Sequence, residues 1–171
     1  MNDLIVLAIL LDGPQHGYAL KKRAGLVMAN RELHNNIIYP MLERFIENGW
    51  VHRKQQGGER GQTRQVYSLT ATGKRALLER LSAFDEKQAH SENEFHLRVG
   101  LFQLLSPESR NRILEIRGRV LHQRDEHLEL LQASERLADY NAEVVAFRRG
   151  QIASELKWVR KLSRLKFRSK R

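Results

Sequence analysis

The sequence predicts a mainly α-helical protein: an N-terminal winged helix-turn-helix with a two-stranded wing, followed by a C-terminal domain of antiparallel helices. Three observations predict it. Three short helical segments follow one another up to Gly49, two β-like runs then surround a glycine-rich loop, and long segments with helical spacing fill the second half. The predicted domains span residues 1–85 and 86–171.

Three helices open the chain. Residues 4–11 are uniformly apolar, and the glycines and proline that follow them end the first helix. A second helix resumes at Tyr18. A third begins between His34 and Ile38, because Pro40 is tolerated only near the start of a helix. Its apolar positions recur at helical spacing and form one stripe: Ile38, Leu42, Phe45 and Ile46.

A hairpin and a fourth helix follow. Gly49 stands where a left-handed residue ends a helix, and the runs "WVHRKQ" and "RQVYSLT" flank the loop "QGGERGQ". Thr70 is a predicted helix cap. The helix after it has one apolar face, made of Ala76, Leu77, Leu81 and Phe84.

The second half predicts long helices. One helix covers residues 92–105, and Ser106-Pro107 is a strong start for the next, with an N-cap followed by proline. The last helix covers about residues 141–165. The two long helices carry apolar stripes: Ile113, Ile116, Val120, Leu128, Leu131 and Leu137 on one, and Val144, Val145, Ile152, Leu156, Val159 and Leu162 on the other. An isolated helix pair cannot bury both, which predicts a homodimer.

Composition and charge narrow the function. The net charge is +10, and it is uneven: residues 1–80 hold 12 Lys/Arg against 7 Asp/Glu, residues 81–156 hold 10 against 13, and residues 157–171 hold 8 against none. Basic segments at both ends indicate a polyanionic partner. The chain has no cysteine, which excludes thiol catalysis and Cys-based zinc sites. No apolar run reaches membrane-spanning length and no signal peptide is evident, so we expect a cytoplasmic protein without a membrane partner.

The sequence indicates neither an enzyme nor a metal or cofactor site. The histidine pairs at 122/127 and 90/96 do not have the i, i+4 spacing of metal ligands on one helix face. The loop "GGERGQ" lacks the Lys-Ser/Thr of a phosphate-binding loop and lies within a hairpin. We find no nucleophile motif and no paired acid and base.

The third helix carries the side chains suited to DNA. In helix-turn-helix proteins the N-terminal part of the recognition helix contacts the bases, and here that part holds His34, Asn35, Asn36 and Tyr39. Asparagine can pair bidentately with adenine, although the two asparagines also suit helix capping. Basic side chains around this helix complete the predicted DNA-binding set: Lys21, Lys22, Arg44, Lys54, Arg60 and Arg64. The alternative is a winged helix that binds protein instead of DNA.

The first half resembles the PadR family of bacterial transcriptional regulators. The family pattern is a Gly-Pro-x-His-Gly-Tyr turn, a Leu-Tyr-Pro-x-Leu recognition helix ending in Glu-x-Gly, and a wing with Arg/Lys-x-x-Tyr-x-Leu-Thr-x-x-Gly. The chain departs from it at residues 34–37, where His-Asn-Asn-Ile replaces the usual Ser-Pro-Gly-Thr. The matching residues are Gly13, Pro14, His16, Gly17, Tyr18, Ile38, Tyr39, Pro40, Leu42, Glu47, Gly49, Arg64, Tyr67, Leu69, Thr70 and Gly73.

The resemblance implies roles as well as a fold. It implies that Tyr18 and Tyr39 contact phosphates and that Arg64 touches DNA. It implies a regulator, usually a repressor, that binds operator double-stranded DNA as a homodimer through its C-terminal helical domain and responds in some members to a small-molecule effector. Because the departing residues face the bases, the operator preference is not carried over.

Overall fold

The computed structural model describes residues 1–27, 34–57, 63–134 and 138–165. The chain divides into two compact units, Met1–Leu81 and Ser82–Arg171. We call them the N-terminal unit and the C-terminal unit and describe each by itself. In the described part of the chain, no helix combines the length and the apolar character needed to cross a membrane.

Within the described residues of the N-terminal unit, four helices surround one core: α1 (Asn2–Leu11), α2 (Gly17–Val27), α3 (Asn35–Glu47) and α4 (Ala71–Ser82). The prediction that Leu20, Ile38, Leu42 and Leu77 are core residues is confirmed, since all four side chains are fully buried. They belong to α2, α3 and α4, so the apolar faces of three helices meet in this core.

The sheet has three strands, whereas the sequence predicted a two-stranded wing. Strands β2 (Val51–Gly57) and β3 (Thr63–Leu69) form the predicted antiparallel hairpin, and β1 (Gln15–His16) pairs with the other edge of β3. Residue Gln15 lies opposite Tyr67 and His16 opposite Val66. A strand of two residues is too short to show the alternation that marks a strand in sequence, so it was predicted as a turn.

Gly49 ends α3 as predicted. Its φ is +67°, a left-handed conformation that glycine adopts without a steric cost. The turn brings Trp50 back onto the helix, where its backbone N–H donates to the Phe45 carbonyl at 2.8 Å. The Trp50 ring lies 5.6 Å from the Phe45 ring, and the Arg80 guanidinium stands 4.7 Å from the Trp50 ring centroid.

Thr70 joins the end of the wing to α4. Its hydroxyl oxygen accepts from the Gly73 N–H at 2.9 Å, which confirms the predicted cap, and the hydroxyl lies 2.7 Å from the Gly49 carbonyl. The Trp50 carbonyl passes so close to Gly73 that a Cβ there would stand 2.1 Å from its oxygen. Glycine at position 73 is therefore required by packing rather than by its backbone dihedral angles.

The C-terminal unit is helical. The predicted helix over residues 92–105 ends earlier, at Gly100, and continues only as a single 3₁₀ turn. A one-turn helix that the sequence analysis did not predict precedes it. The elements are α5 (Glu86–Ala89), α6 (Glu92–Gly100), the 3₁₀ turn (Phe102–Leu104), α7 (Pro107–Ser134) and α8 (Asp139–Arg164).

The two long helices run antiparallel, as predicted. Arg117 of α7 donates to both carboxylate oxygens of Glu155 in α8 at 2.7 Å, and Arg149 of α8 donates to Asp125 at 2.9 Å. Residues later in α7 therefore pair with residues earlier in α8, as in an antiparallel pair. Most of the predicted stripe residues are buried or half-buried, but Val144 is 52% exposed because its neighbour Val145 takes the inward position. Leu137 lies outside the described residues.

An aromatic cluster joins α6 to α8. The Trp158 ring meets the Phe95 ring edge-on at 5.7 Å and the His96 ring at 5.4 Å. Phe95 is fully buried, so these contacts are packing contacts.

Candidate nucleic-acid interface

Helix α3 has a buried face and an outward face. Ile38, Met41, Leu42 and Phe45 are buried, which fixes the rotation of the helix about its axis. The other face exposes Asn35 and Asn36 at the N-terminal end, and Tyr39 one turn later with 43% of its side chain exposed. The polar residues predicted to contact bases therefore lie together at an accessible helix end.

The asparagines do not cap α3. The capping position belongs to His34, whose backbone is extended and whose carbonyl accepts from the N–H groups of Ile37 and Ile38 at 2.9 and 3.1 Å. Asn35 and Asn36 occupy the first and second helical positions. Neither side-chain amide is hydrogen-bonded within the described part of the chain, so both are available for an outside partner.

A cleft brings three of the predicted DNA-binding residues together. Tyr18 from α2, Tyr39 from α3 and Arg64 from β3 line one cavity of about 510 Å³. Gly17 to Ala19 also line it, so the N-terminus of α2 opens into the cleft. The free N–H groups at a helix N-terminus favour an anion, as do tyrosine hydroxyls and a guanidinium. We call this cavity the tyrosine cleft.

Tyr39 is held against backbone. A Cβ at Gly17 would lie 3.2 Å from Cε1 and 3.4 Å from the hydroxyl of Tyr39, and 3.4 Å from Cε2 of Tyr67. Tyr67 is only 3% exposed, which confirms its predicted place in the wing core. Burial raises the pKa of the Tyr67 hydroxyl, although the guanidinium of Arg53 acts in the opposite direction. Tyr67 therefore stays neutral at physiological pH and adds no negative charge to the cleft.

Two polar residues of the cleft were missed by sequence reasoning. The Nδ1 atom of His16 and the Oε1 atom of Gln65 are buried, and neither has a hydrogen-bond partner among the described residues. Both side chains line the tyrosine cleft. The pairing of β1 with β3 brings them together, and no local sequence pattern indicated that pairing.

The remaining predicted residues are dispersed. Lys22 and Lys54 are exposed on α2 and β2, and Lys21 is half-exposed on α2, one turn beyond Tyr18. Arg60 lies outside the described residues. Arg44 donates to both oxygens of Asp3 at 2.8 Å, so its guanidinium already serves an ion pair that ties α3 to α1.

The second half of α3 is acidic on its outward face. Glu43 and Glu47 are exposed there, and Glu43 accepts a hydrogen bond from Arg53 of β2. Carboxylates repel phosphates, so the N-terminal half of the helix suits contact with a nucleic acid better than the C-terminal half does. No group of three potential metal-ligating side chains occurs in the described ranges.

Helices α1 to α4 and the β2–β3 hairpin define a winged helix-turn-helix, with the polar end of its third helix exposed. The profile of the Transcriptional regulator PadR-like family matches residues 6–79, which cover nearly the whole N-terminal unit. Residues 6–79 therefore form a domain of the PadR-like family of transcriptional regulators. No curated protein matches the chain.

Solved structures of regulators resemble it at low similarity. The transcriptional regulator TA0346 from Thermoplasma acidophilum is 31% identical, over 46% of this chain and 72% of that one, with a TM-score of 0.42. Bacillus subtilis PadR in complex with operator DNA is 16% identical over 94% of this chain and 96% of that one, with a TM-score of 0.47. The same protein in complex with p-coumaric acid gives a TM-score of 0.42 at 16% identity, over 94% of this chain and 95% of that one.

Proposed function

We propose that this protein binds operator DNA sequence-specifically and that the tyrosine cleft holds a backbone phosphate beside the recognition helix. The observation that carries the proposal is the convergence of Tyr18, Tyr39 and Arg64 on one cleft at the N-terminus of α2. Phosphate contacts set the position of a protein on the duplex, and base contacts supply the specificity.

The proposed base readers are Asn35 and Asn36. They lie at the exposed N-terminal end of α3, and the acidic residues Glu43 and Glu47 keep the other end of its outward face away from phosphates. The amide of an asparagine can pair bidentately with adenine in the major groove. Lys21, Lys22 and Lys54 supply further phosphate contacts, whereas we assign Arg44 to the ion pair with Asp3.

Two variants separate base reading from phosphate contact. Asn36→Ala should flatten the sequence preference at one or two operator positions, because a bidentate base contact contributes about 1–3 kcal/mol of discrimination. Tyr39→Phe removes only a hydroxyl at the cleft, so it should weaken binding to all duplexes about equally. Selection of binding sites from a random duplex library, repeated for each variant, measures both effects.

Melting temperatures of both variants serve as the control, and neither should differ from the wild type, since neither side chain is buried. A changed preference for Tyr39→Phe with an unchanged one for Asn36→Ala would mean that α3 docks in another orientation. A further contrary outcome is that the wild type selects no duplex and that its residual binding to random duplex does not weaken steeply with salt. In that case the winged helix binds protein instead of DNA.

We propose that the protein is a homodimer joined by its C-terminal domain, residues 86–171. The support is an apolar patch on the helix pair: Tyr140, Val144 and Phe147 follow the i, i+4, i+7 spacing of one helix face and are 89%, 52% and 67% exposed. An exposed apolar stripe on one helix face is typical of an interface.

Phe147→Glu should turn the dimer into a monomer at micromolar concentration, because the charge would be buried in the interface. Sedimentation velocity of the full chain gives the oligomeric state. Ala146→Glu is the matched control: it adds the same charge at an exposed position about 100° around α8. A wild type that sediments as a monomer, or a Phe147→Glu variant that remains a dimer, would remove the patch as the interface.

We also propose that the protein represses transcription and is released by a small organic anion. The support for an effector is a cavity of about 600 Å³ in the C-terminal unit, lined by Arg124, Arg148, His90 and His127 and by two carboxylates, Glu92 and Glu155. Arg117 already neutralises Glu155, so the basic side chains outnumber the free carboxylate. The carbonyl of His90 accepts a hydrogen bond of 2.8 Å from the Arg124 guanidinium. In vitro transcription from a promoter carrying the selected site tests the sign of regulation. Calorimetric titration with small carboxylates tests the cavity, and no heat with any of them would refute it.

A further inference from the structure

The C-terminal end of α8 carries a basic stripe. Lys157, Arg160, Lys161 and Arg164 are all exposed. At about 100° per residue these four positions fall within an arc of about 100° on the helix surface. No acidic residue follows Glu155 in the sequence, so the positive charge along these turns is not neutralised from within the helix. We call these four residues the basic stripe.

The basic stripe differs from the three arginines of the C-terminal unit that are paired with carboxylates. Arg98, Arg117 and Arg149 each form an ion pair with a carboxylate. Within residues 1–27, 34–57, 63–134 and 138–165, no carboxylate pairs with a member of the stripe. The three paired arginines therefore have a structural role inside the unit. The stripe instead leaves four cations facing solvent on one side of one helix.

The chemistry of the opposite face of α8 discriminates between polyanionic partners. A helix that binds a lipid surface inserts an exposed apolar face into it. Here Val159 and Leu162, the apolar residues on the opposite face of these turns, are buried within the C-terminal unit, each 7% exposed, and Leu165, one residue beyond the helix, is 45% exposed. The helix itself therefore offers a charged face without an apolar face beside it, which favours a phosphate backbone, bound through charge, over a lipid surface.

We infer that the basic stripe is a second DNA-binding surface, which contacts backbone phosphates flanking the operator. This inference rests on the proposed DNA binding by the N-terminal unit and extends it to the C-terminal unit. Contacts of this kind carry no sequence information, so they add affinity and salt dependence without changing the preferred site. They also require duplex beyond the site that the winged helix covers.

The test compares two duplexes. Both contain the site selected by the full chain, one without flanks and one extended by random flanks on both sides. Filter binding over a range of salt concentrations is measured for the wild type and for the variant with Lys157→Gln, Arg160→Gln, Lys161→Gln and Arg164→Gln. The wild type should bind the extended duplex more tightly and with a steeper salt dependence. The variant should lose that advantage, and its salt slope should fall by about 0.9 for each phosphate that the variant no longer neutralises.

A control variant removes exposed positive charge elsewhere in the C-terminal unit. Lys87→Gln, Arg112→Gln and Arg119→Gln together delete three exposed cations, and this variant should keep the flank dependence. Melting temperature and sedimentation check that both variants fold and assemble, as expected because none of the seven side chains is buried.

Each other outcome identifies a different error. The inference would be overturned, with operator binding intact, if flanks raised the affinity of the wild type and of the stripe variant equally. It would also be overturned if the control variant lost the affinity gain from flanks as fully as the stripe variant does. Failure of the wild type to bind the unflanked duplex would instead overturn the proposed function. Cosedimentation with phosphatidylglycerol vesicles that the stripe variant alone loses, together with unchanged DNA binding, would assign the stripe to a membrane and overturn the inference.

Discussion

Glu155→Leu should lower the free energy of unfolding of the C-terminal unit by about 3–5 kcal/mol. The Arg117 side chain is fully buried, and its guanidinium donates hydrogen bonds to both Glu155 oxygens and to the Ala89 carbonyl. The same guanidinium lies 5.4 Å from the centroid of the Phe95 ring. Removing the carboxylate leaves that charge buried without a counterion. Urea denaturation of the full chain, followed by far-ultraviolet circular dichroism, measures the decrease.

A second substitution separates the charge effect from packing. Arg117→Met combined with Glu155→Leu removes both charges, and it should recover much of the stability, since apolar pairs often replace buried ion pairs at little cost. The recovery is incomplete because the Ala89 carbonyl also loses its donor. Glu143→Leu, at an exposed position of the same helix, should change stability by no more than about 0.5 kcal/mol. A double variant no more stable than Glu155→Leu alone would contradict this account.

Gly73→Ala should destabilise the N-terminal unit by about 3 kcal/mol or more, although alanine is normally the better residue in a helix by about 1 kcal/mol. The new methyl group would stand 2.1 Å from the Trp50 carbonyl oxygen and 2.8 Å from Cδ1 of Leu69. The carbonyl cannot swing aside, because it also accepts from the Thr70 N–H at 2.9 Å. Urea denaturation of the same chain measures the effect.

Gly150→Ala provides the comparison. This glycine lies in the middle of α8 with nothing within 4 Å of an added Cβ. It should therefore show the ordinary helix effect, a gain of up to about 1 kcal/mol. If Gly73→Ala and Gly150→Ala change stability alike, then the close approach of α4 to the Trp50 carbonyl does not determine the residue at position 73.

The sequence predicted those parts of the fold that local patterns determine. The long helices carry apolar stripes, Thr70 and Gly49 are recognisable as a cap and a helix end, and each of these predictions is confirmed. Strand β1 and helix α5 were missed because two and four residues show no periodicity. Val144 and Val145 were predicted in one stripe, but in the single chain Val145 is buried and Val144 is 52% exposed, because sequence alone does not show which of two adjacent valines faces inward.

The candidate site depended more on distant contacts. Resemblance to a family suggested Tyr18, Tyr39 and Arg64 separately, and only the fold shows that they share one cleft. The cleft also holds the unpartnered atoms of His16 and Gln65, which strand pairing brings together from distant parts of the chain. The ion pair of Arg44 with Asp3 is equally long-range. Such contacts leave no periodic pattern, so they are not predictable from one sequence.

The two tryptophans give this protein a built-in optical readout. Trp50 lies in the N-terminal unit beside Phe45 and Arg80, and Trp158 lies in the C-terminal unit beside Phe95 and His96. The sequence contains no others. Replacing either one with phenylalanine leaves a single tryptophan, and selective excitation of that tryptophan gives an emission that reports on one unit alone. Comparing the emission of the two single-tryptophan chains during denaturation will therefore show whether the units melt together or one after the other.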